Sequence, residues 1–378
     1  MTPAPDPERR RLLLLTTELR PAGAERVVAE LALGLDPARW QVWVASLWSP
    51  GGQDGAVADE LRARGVPVVA LRLRGKLDLP RAAGLIRLLR RFRPHVLHAH
   101  LFHANLAARL LGRLGGARRV VATHHVVERR PLPARRLLER LTAGRDDVTV
   151  CVSEAVARFA RERLGASPAR LRVIPDGVDL ARFSGPAEDP AAAREALGLP
   201  REGPLLVGVG RLTGQKGWDV LLRALPRLLE AHPSLLLALA GQGQEEAALR
   251  ALAAGLGLAP RVRFLGFRSD PERVLRAADV VVIPSRWEGF GLVAVEALAA
   301  GRAVVASAVD SLPEVLGQAA LLVPPEDPLA LAGALRDLLD DPARRAALAA
   351  GGPARAAQFD ARAMIAAYAA LYEELAVV

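Results

Sequence analysis

Short apolar runs recur through the first half of the chain, at Leu12–Thr16, Gln41–Ser46, Val66–Leu71, Val96–Ala99, Val120–Thr123, Val148–Val152 and Leu171–Ile174. Between them lie stretches such as Glu25–Gly34 and Pro80–Phe92, whose apolar residues fall at helical spacing. Apolar runs separated by helix-length segments predict parallel sheets with right-handed crossovers. The stretch Ser184–Pro204, rich in Pro, Ala and Glu, interrupts the pattern and reads as a linker with a short helix. The pattern then restarts at Leu205–Gly210, Leu235–Ala240, Arg261–Leu265, Val280–Ile283 and Ala303–Ser307. The expected fold class is therefore α/β, with two doubly wound, Rossmann-like domains over residues 1–183 and 184–355. The last segment, 356–378, contains an amphipathic stretch from Ala361 to Leu375 and is expected to pack back on the first domain. Two such sheets facing a central cleft would bring both switch-point crevices together, an arrangement suited to a pair of substrates.

Length supports the division, because 378 residues exceed one comfortable core and 51% of them are apolar. No apolar run reaches the roughly 20 residues needed to span a bilayer. The run Leu12–Thr17 follows three arginines but is short and lacks a small-residue cleavage site, so it reads as a first strand and not a secretory leader. The single Cys151 excludes an internal disulfide and fits a cytoplasmic setting.

Charge is unevenly spread. Residues 1–185 hold 32 basic and 18 acidic side chains, a balance of +14, which leaves −4 for the remainder of a chain whose total is +10. Such a basic half suggests an anionic partner, membrane lipid or nucleic acid; the alternative is arginine spread over solvated faces. Nucleic acid is disfavoured, since only 4% of residues are aromatic and no recognition motif appears.

Two constellations carry chemistry. In Val207–Gly217, VGVGRLTGQKG, a buried strand delivers Arg211 and Lys216 just beyond its C-terminal end, where paired cations suit a diphosphate. Lysine is informative here, because the chain holds only two, Lys76 and Lys216, against 49 arginines. The glycines match neither GxGxxG nor a P-loop. In Asp279–Gly301, DVVVIPSRWEGFGLVAVEALAAG, an apolar strand leads to a loop carrying Glu288, Gly289, Phe290 and Gly291. A helix then runs from about Leu292 to Ala300 and closes at Gly301. Bare backbone at the glycines and free N–H groups at the helix start suit hydroxyl or phosphate oxygens. Glu296 is placed to accept from vicinal ribose hydroxyls.

RLTGQKGWD followed by PSRWEGFGLVAVEALAAG resembles the signature of the retaining GT-B glycosyltransferases of family 4, and the resemblance extends from PAGAERV at Pro21 to the last helix. It implies a nucleoside-diphosphate-sugar donor, no cofactor and no obligatory metal, with retention of anomeric configuration. It implies that Arg211 and Lys216 hold the diphosphate, that Glu296 binds ribose, and that Glu288 contacts the transferred sugar with Gly289, Phe290, Gly291 and Leu292 around it. Gly23 would pass the donor phosphates, although Ala22 stands where resembling proteins have a second glycine. PDGVD at Pro175–Asp179 carries Asp176 in place of a usual Asn and reads as structural.

Six of the seven histidines fall between His95 and His125. H-x-H at His98 and His100 lacks the Cys or carboxylate partners of a metal site, so no metal is expected. The T-x-H pattern of the resembling proteins selects His125 as the active-site histidine, with His124 as the fallback; the others read as supporting or core residues.

These residues point to front-face displacement by a hexosyltransferase, with Arg211 and Lys216 stabilising the leaving diphosphate. Arg129–Leu141, RRPLPARRLLERL, and Leu85–Arg93 read as basic amphipathic surfaces suited to anionic membrane. The expected acceptor is a lipid-linked or cell-surface glycan precursor, as in lipopolysaccharide or other polysaccharide biosynthesis, met at the inner face of the cell membrane. The alternatives on the same fold are a nucleotide-sugar epimerase, which turns over donor without acceptor, and a phosphorylase, which needs a pyridoxal lysine.

Overall fold

The computed structural model describes residues 6, 8–49, 54–73, 78–128, 132–185 and 189–377. It divides into two units, Met1–Gly177 with Ala361–Val378, and Val178–Asp360.

The first unit holds seven parallel strands: β1 (Arg10–Thr16), β2 (Trp40–Ser46), β3 (Val68–Ala70), β4 (Val96–His100), β5 (Arg119–His124), β6 (Val148–Cys151) and β7 (Leu171–Val173). Their order, β3-β2-β1-β4-β5-β6-β7, reverses direction between β1 and β4 and so creates a switch point there. The run Leu12–Leu15 is continuous because both faces of β1 are covered. Leu12 and Leu14 enter one cluster with Val44, Val96 and Val121. Leu13 and Leu15 enter the opposite cluster with Trp43, Leu85, Leu89 and Phe92.

The terminal helix Ala361–Val377 belongs to the first of these clusters. Met364, Tyr368, Leu371 and Tyr372 recur at helical spacing and are all buried there. Tyr368 and Tyr372 are among the largest fully buried side chains of the chain.

The second unit holds six parallel strands: β8 (Leu205–Val209), β9 (Leu236–Ala240), β10 (Val262–Gly266), β11 (Val280–Ile283), β12 (Ala303–Ser307) and β13 (Leu321–Val323). Their order is β10-β9-β8-β11-β12-β13, with the reversal between β8 and β11. The helix Leu292–Ala299 ends as the glycine spacing predicts. Gly301, at φ +62°, donates to Leu298 O at 3.0 Å, and Arg302 donates to Ala297 O at 3.0 Å. These two bonds form the paired closure typical of a left-handed glycine stop.

Two sequence expectations shift. The boundary expected after residue 183 falls at Gly177, because the helix Leu180–Ser184 is tied into the second unit. Arg182 pairs with Glu272 at 2.8 Å, and Arg276 donates to the carbonyls of Arg182 and Phe183. The second boundary, expected after 355, falls at Asp360. Strand β13 is not among the expected strands, although it closes the apolar run Ala319–Val323 just before Pro324 and Pro325.

The terminal helix also makes a polar bond inside the first core: Tyr372 OH lies 2.6 Å from His98 Nδ1, and both residues are fully buried. Removing the hydroxyl leaves an imidazole nitrogen unsatisfied in a dry site. Tyr372→Phe should lower stability by about 1–3 kcal/mol, read by urea unfolding, with no loss of secondary structure.

Candidate active site

In the second unit, chemistry gathers where β8 and β11 end on either side of the switch point. The loop after β8 contains a short turn, Gly214–Lys216, and Gly217 follows at φ +67°. A Cβ on Gly217 would meet Pro284 O at 2.1 Å, so only glycine allows this loop to lie against the end of β11. Arg286 then clamps the two loops. Its guanidinium donates to both carboxylate oxygens of Asp219 at 2.8 Å, to Glu326 at 2.9 Å and to Gly214 O at 2.9 Å. The paired hydrogen bonds from Arg286 hold the Asp219 carboxyl below the usual carboxylate range.

This clamp brings Lys216 and Glu288 together. Lys216 Nζ forms an ion pair with Glu288 Oε1, and the side chains are only 16% and 7% exposed. The same oxygen accepts from Ser285 Oγ at 2.8 Å, while the Glu288 backbone N–H donates to Asp310 Oδ2 at 3.0 Å. Gln215 links the pair to its neighbours, donating to Trp287 O at 3.0 Å and accepting from Arg211 Nη2 at 3.2 Å. Arg211 itself is exposed. Ser285, Asp310 and Gln215 were not singled out from sequence; the first and last lie inside the quoted motifs, whereas nothing near Asp310 in the sequence points to Glu288.

The remaining residues predicted for this site sit around the start of the helix Leu292–Ala299. Gly289 and Phe290 are buried, Gly291 adopts φ +91°, and Leu292 opens the helix. The Phe290 ring meets Phe359 edge-on at 5.4 Å, and Ser311 Oγ donates to Phe290 O at 3.1 Å. Glu296 lies within the helix and is half-buried.

Gly23 and His125 belong to the first unit. Gly23 is exposed and opens the helix Gly23–Gly34, whose preceding residue, Ala22, offers no side-chain cap. His125 follows β5 and is buried, with Nε2 lying 2.9 Å from His100 Nδ1. On its other side, Asp176 Oδ2 approaches His125 Nδ1 at 3.6 Å. In sequence the Asp176 segment reads as structural; the fold places its carboxylate beside His125. His98 is fully buried, between Tyr372 OH and Thr123 Oγ1 at 2.6 Å each. His124 and His125 also line a pocket of about 70 Å³ with Leu101, Phe102, Glu128, Arg136 and others. No group of three or more His, Cys, Asp or Glu side chains suited to a metal ion occurs among the described residues.

The two basic amphipathic surfaces fare differently. On the helix Leu79–Phe92, Leu85, Leu88, Leu89 and Phe92 are buried in the core, so these four are not available to lipid, contrary to expectation. Its periodicity reports packing against the sheet. On the helix Pro133–Thr142, Leu137 and Leu141 are 57% and 67% exposed, and Arg140 is exposed beside them. Arg135, however, pairs with Glu128 at 2.5 Å and stacks over Phe102 at 4.1 Å. Arg129 and Arg130 lie outside the described residues. No helix among the described residues is long and apolar enough to cross a membrane.

Burial disfavours protonation of four histidines. It lowers His95, pushes His98 and His100 well below the usual imidazole range, and takes His124 down to about 4. Below pH 6.5 the unfolded chain therefore binds protons that the folded chain refuses, and stability falls as pH falls. Asp146, pushed up to about 6 by burial, acts in the opposite direction with one proton. The net expectation is a loss of stability between pH 6.5 and 4, approaching about 1.4 kcal/mol per pH unit for each uncompensated histidine. Urea midpoints measured across that range test it.

Residues 21–182 match the family described as Glycosyltransferase Family 4, and residues 190–355 match Glycosyl transferases group 1. A D-inositol 3-phosphate glycosyltransferase of Acidothermus cellulolyticus is 36% identical over 70% of this chain and 63% of its own length. One from Frankia alni is 38% identical over 70% of each. The chain thus spans less than two thirds of the length of the first of these relatives. Among solved structures, HepE of Anabaena in complex with UDP-glucose aligns over 96% of this chain and 99% of its own, with a TM-score of 0.84 at 23% identity. Sucrose-phosphate synthase of Thermosynechococcus elongatus aligns over 97% and 99%, with a TM-score of 0.81 at 26% identity. Two Rossmann-like units in this strand order, matched along both halves and supported by relatives of this identity, place the chain in glycosyltransferase family 4, on the GT-B fold.

Proposed function

We propose that the protein is a retaining hexosyltransferase that moves a sugar from a nucleoside-diphosphate sugar to an acceptor hydroxyl without a metal ion or cofactor. The observation that carries this reading is the largely buried Lys216–Glu288 pair, held at the switch point of the second unit beside Ser285 and Asp310. A diphosphate draws Lys216 away from Glu288, and Arg211 adds a second cation. Glu288 is then free to accept from hydroxyls of the transferred sugar. As the glycosidic bond breaks, charge builds on the leaving phosphate and the two cations meet it there. A phosphate oxygen takes the acceptor proton on the same face, so no strong protein base is needed and configuration is retained. Glu296 is assigned to ribose, and the backbone of Gly289, Phe290, Gly291 and Leu292 to the sugar. The amides opening the helix at Gly23 are assigned to phosphate oxygens and His125 to sugar hydroxyls.

Thermal shift against UDP-, GDP-, ADP- and dTDP-sugars tests the donor site, because a ligand bound only by the folded state raises the melting point. One nucleotide class should shift it, and Glu296→Ala should abolish the shift. Lys216→Ala should lower turnover on the order of 10²-fold, the usual loss on removing one such charge stabiliser, while chelator leaves the parent protein's turnover unchanged. Full turnover in Lys216→Ala with unaltered donor affinity removes the residue from the mechanism. Donor epimerised without acceptor points to the alternative enzyme class.

The acceptor is proposed to be a lipid-linked or cell-surface glycan precursor at the cytoplasmic face of the membrane. Support comes from the exposed Leu137 and Leu141 beside Arg140 on the helix Pro133–Thr142. A second reading, a small phosphorylated polyol, is favoured by the name shared by the relatives, D-inositol 3-phosphate glycosyltransferase. On the first reading, anionic vesicles bind the protein, and Leu137→Gln with Leu141→Gln and Arg140→Gln weakens that binding about tenfold or more, at about 1 kcal/mol per basic residue and more for the leucines. Turnover of D-inositol 3-phosphate with no vesicle binding decides for the second.

A further inference from the structure

Three buried groups stand in line at the C-terminal edge of the first sheet. His100 ends β4, His125 follows β5, and Asp176 follows β7 in the turn PDGVD. His100 is 0% exposed, and the side chains of His125 and Asp176 are 4% and 6% exposed. His100 Nδ1 lies 2.9 Å from His125 Nε2, and Asp176 Oδ2 lies 3.6 Å from His125 Nδ1. The His125–Asp176 approach is an ionic contact beyond hydrogen-bond reach, and His100 Nε2, His125 Nδ1 and Asp176 Oδ1 find no hydrogen-bond partner among the described residues.

The 2.9 Å contact joins two ring nitrogens, so one of them must carry a proton and the other must not. In one arrangement His125 bears its proton on Nδ1, facing Asp176, and Nε2 accepts from His100 Nδ1–H. His100 Nε2 is then a bare acceptor. In the other, His125 Nε2 donates to His100 Nδ1. His125 Nδ1 then turns a lone pair toward a carboxylate, and His100 Nε2–H becomes a buried donor with no partner. A doubly protonated His125 creates the same orphan donor on His100. Each arrangement of the neutral pair leaves one buried N–H without a hydrogen bond, His125 Nδ1–H in the first and His100 Nε2–H in the second. The carboxylate decides between them, because it attracts an N–H facing it and repels a lone pair. Burial also keeps His100 neutral.

We propose that Asp176 is a positioning residue that fixes His125 as its Nδ1–H tautomer and, through His125, fixes the proton of His100 on Nδ1. A carboxylate accepts and never donates, so it selects one of the two arrangements. An amide at this position can do either and selects neither. Asp176 thus holds the His125 ring at the pocket wall in one orientation and one protonation pattern. The effect on turnover rests on the proposed role of His125 in sugar transfer; the tautomer assignment does not.

Ring nitrogen spectra of the full chain, labelled with ¹⁵N-histidine and assigned with His125→Gln, read the proton positions directly. The expected result is a proton on Nδ1 of both His125 and His100. A proton on Nε2 of either ring in the parent protein overturns the proposal without any Asp176 variant having to fold. Asp176→Asn, close to isosteric, should replace the single His125 tautomer with a mixture or the reverse form. It should also lower turnover about tenfold, with donor KM held within twofold, as removal of an orienting partner does. Asp176→Glu should restore the Nδ1 form in part. Unchanged His125 and His100 signals in Asp176→Asn refute the positioning role, and a lower melting point alone reports only packing. A changed tautomer with unchanged turnover keeps the positioning role and removes His125 from the proposed reaction.

Discussion

Strands covered on both faces leave a parallel sheet one place to show polar chemistry, the end where the strands stop. Leu12 to Leu15 and Val280 to Ile283 are buried throughout, so no functional group can project from them without costing the core. Most candidate groups therefore follow a strand or end one: Arg211 and Lys216 after β8, Ser285 and Glu288 after β11, His100 at the end of β4, His125 after β5 and Asp176 after β7, while Glu296 lies within a helix. Where the strand order reverses, neighbouring loops part in opposite directions and leave room for a ligand. The Lys216–Glu288 pair occupies such a place.

The same constraint governs how much can be read from the chain. Doubly buried strands print themselves as unbroken apolar runs, so the sheet count of the first unit and the restart at Leu205 are legible. Residues close in sequence to a strand end are also legible: Lys216 and Glu288 stand out by type and setting. Their mutual contact does not, since it depends on a glycine, Gly217, letting two distant loops touch. Asp176 is the sharper case. Its sequence neighbourhood says only turn, and its proximity to His125 follows from the side-by-side placement of β5, β6 and β7. The helix Leu79–Phe92 misleads for a related reason: amphipathic spacing looks the same whether the apolar side meets a lipid or a sheet.

Arginine dominates the cations of this chain, and the folded structure shows what several buried and half-buried ones do. Arg109 is held by Asp146 and Glu139, Arg194 by Asp279 and three carbonyls, and Arg286 by Asp219 and Glu326. Each spreads a planar fork over several acceptors and so fastens one segment to another. Lys216 differs. A compact ammonium on a flexible stem, engaged with one carboxylate oxygen, is a contact that an incoming anion can exchange without dismantling the loops around it.

The terminal helix carries a consequence for how the molecule is made. Because Ala361–Val377 supplies Met364, Tyr368, Leu371 and Tyr372 to the first core, the first unit is built from two stretches of chain with the whole second unit between them in sequence. During synthesis the second unit, Val178–Asp360, is complete while the first still lacks one wall. The usual order, in which the N-terminal domain is finished first, is inverted here. Until the helix Ala361–Val377 has emerged, His98 and the surrounding apolar side chains lack its cover, and the nascent first unit is an open core.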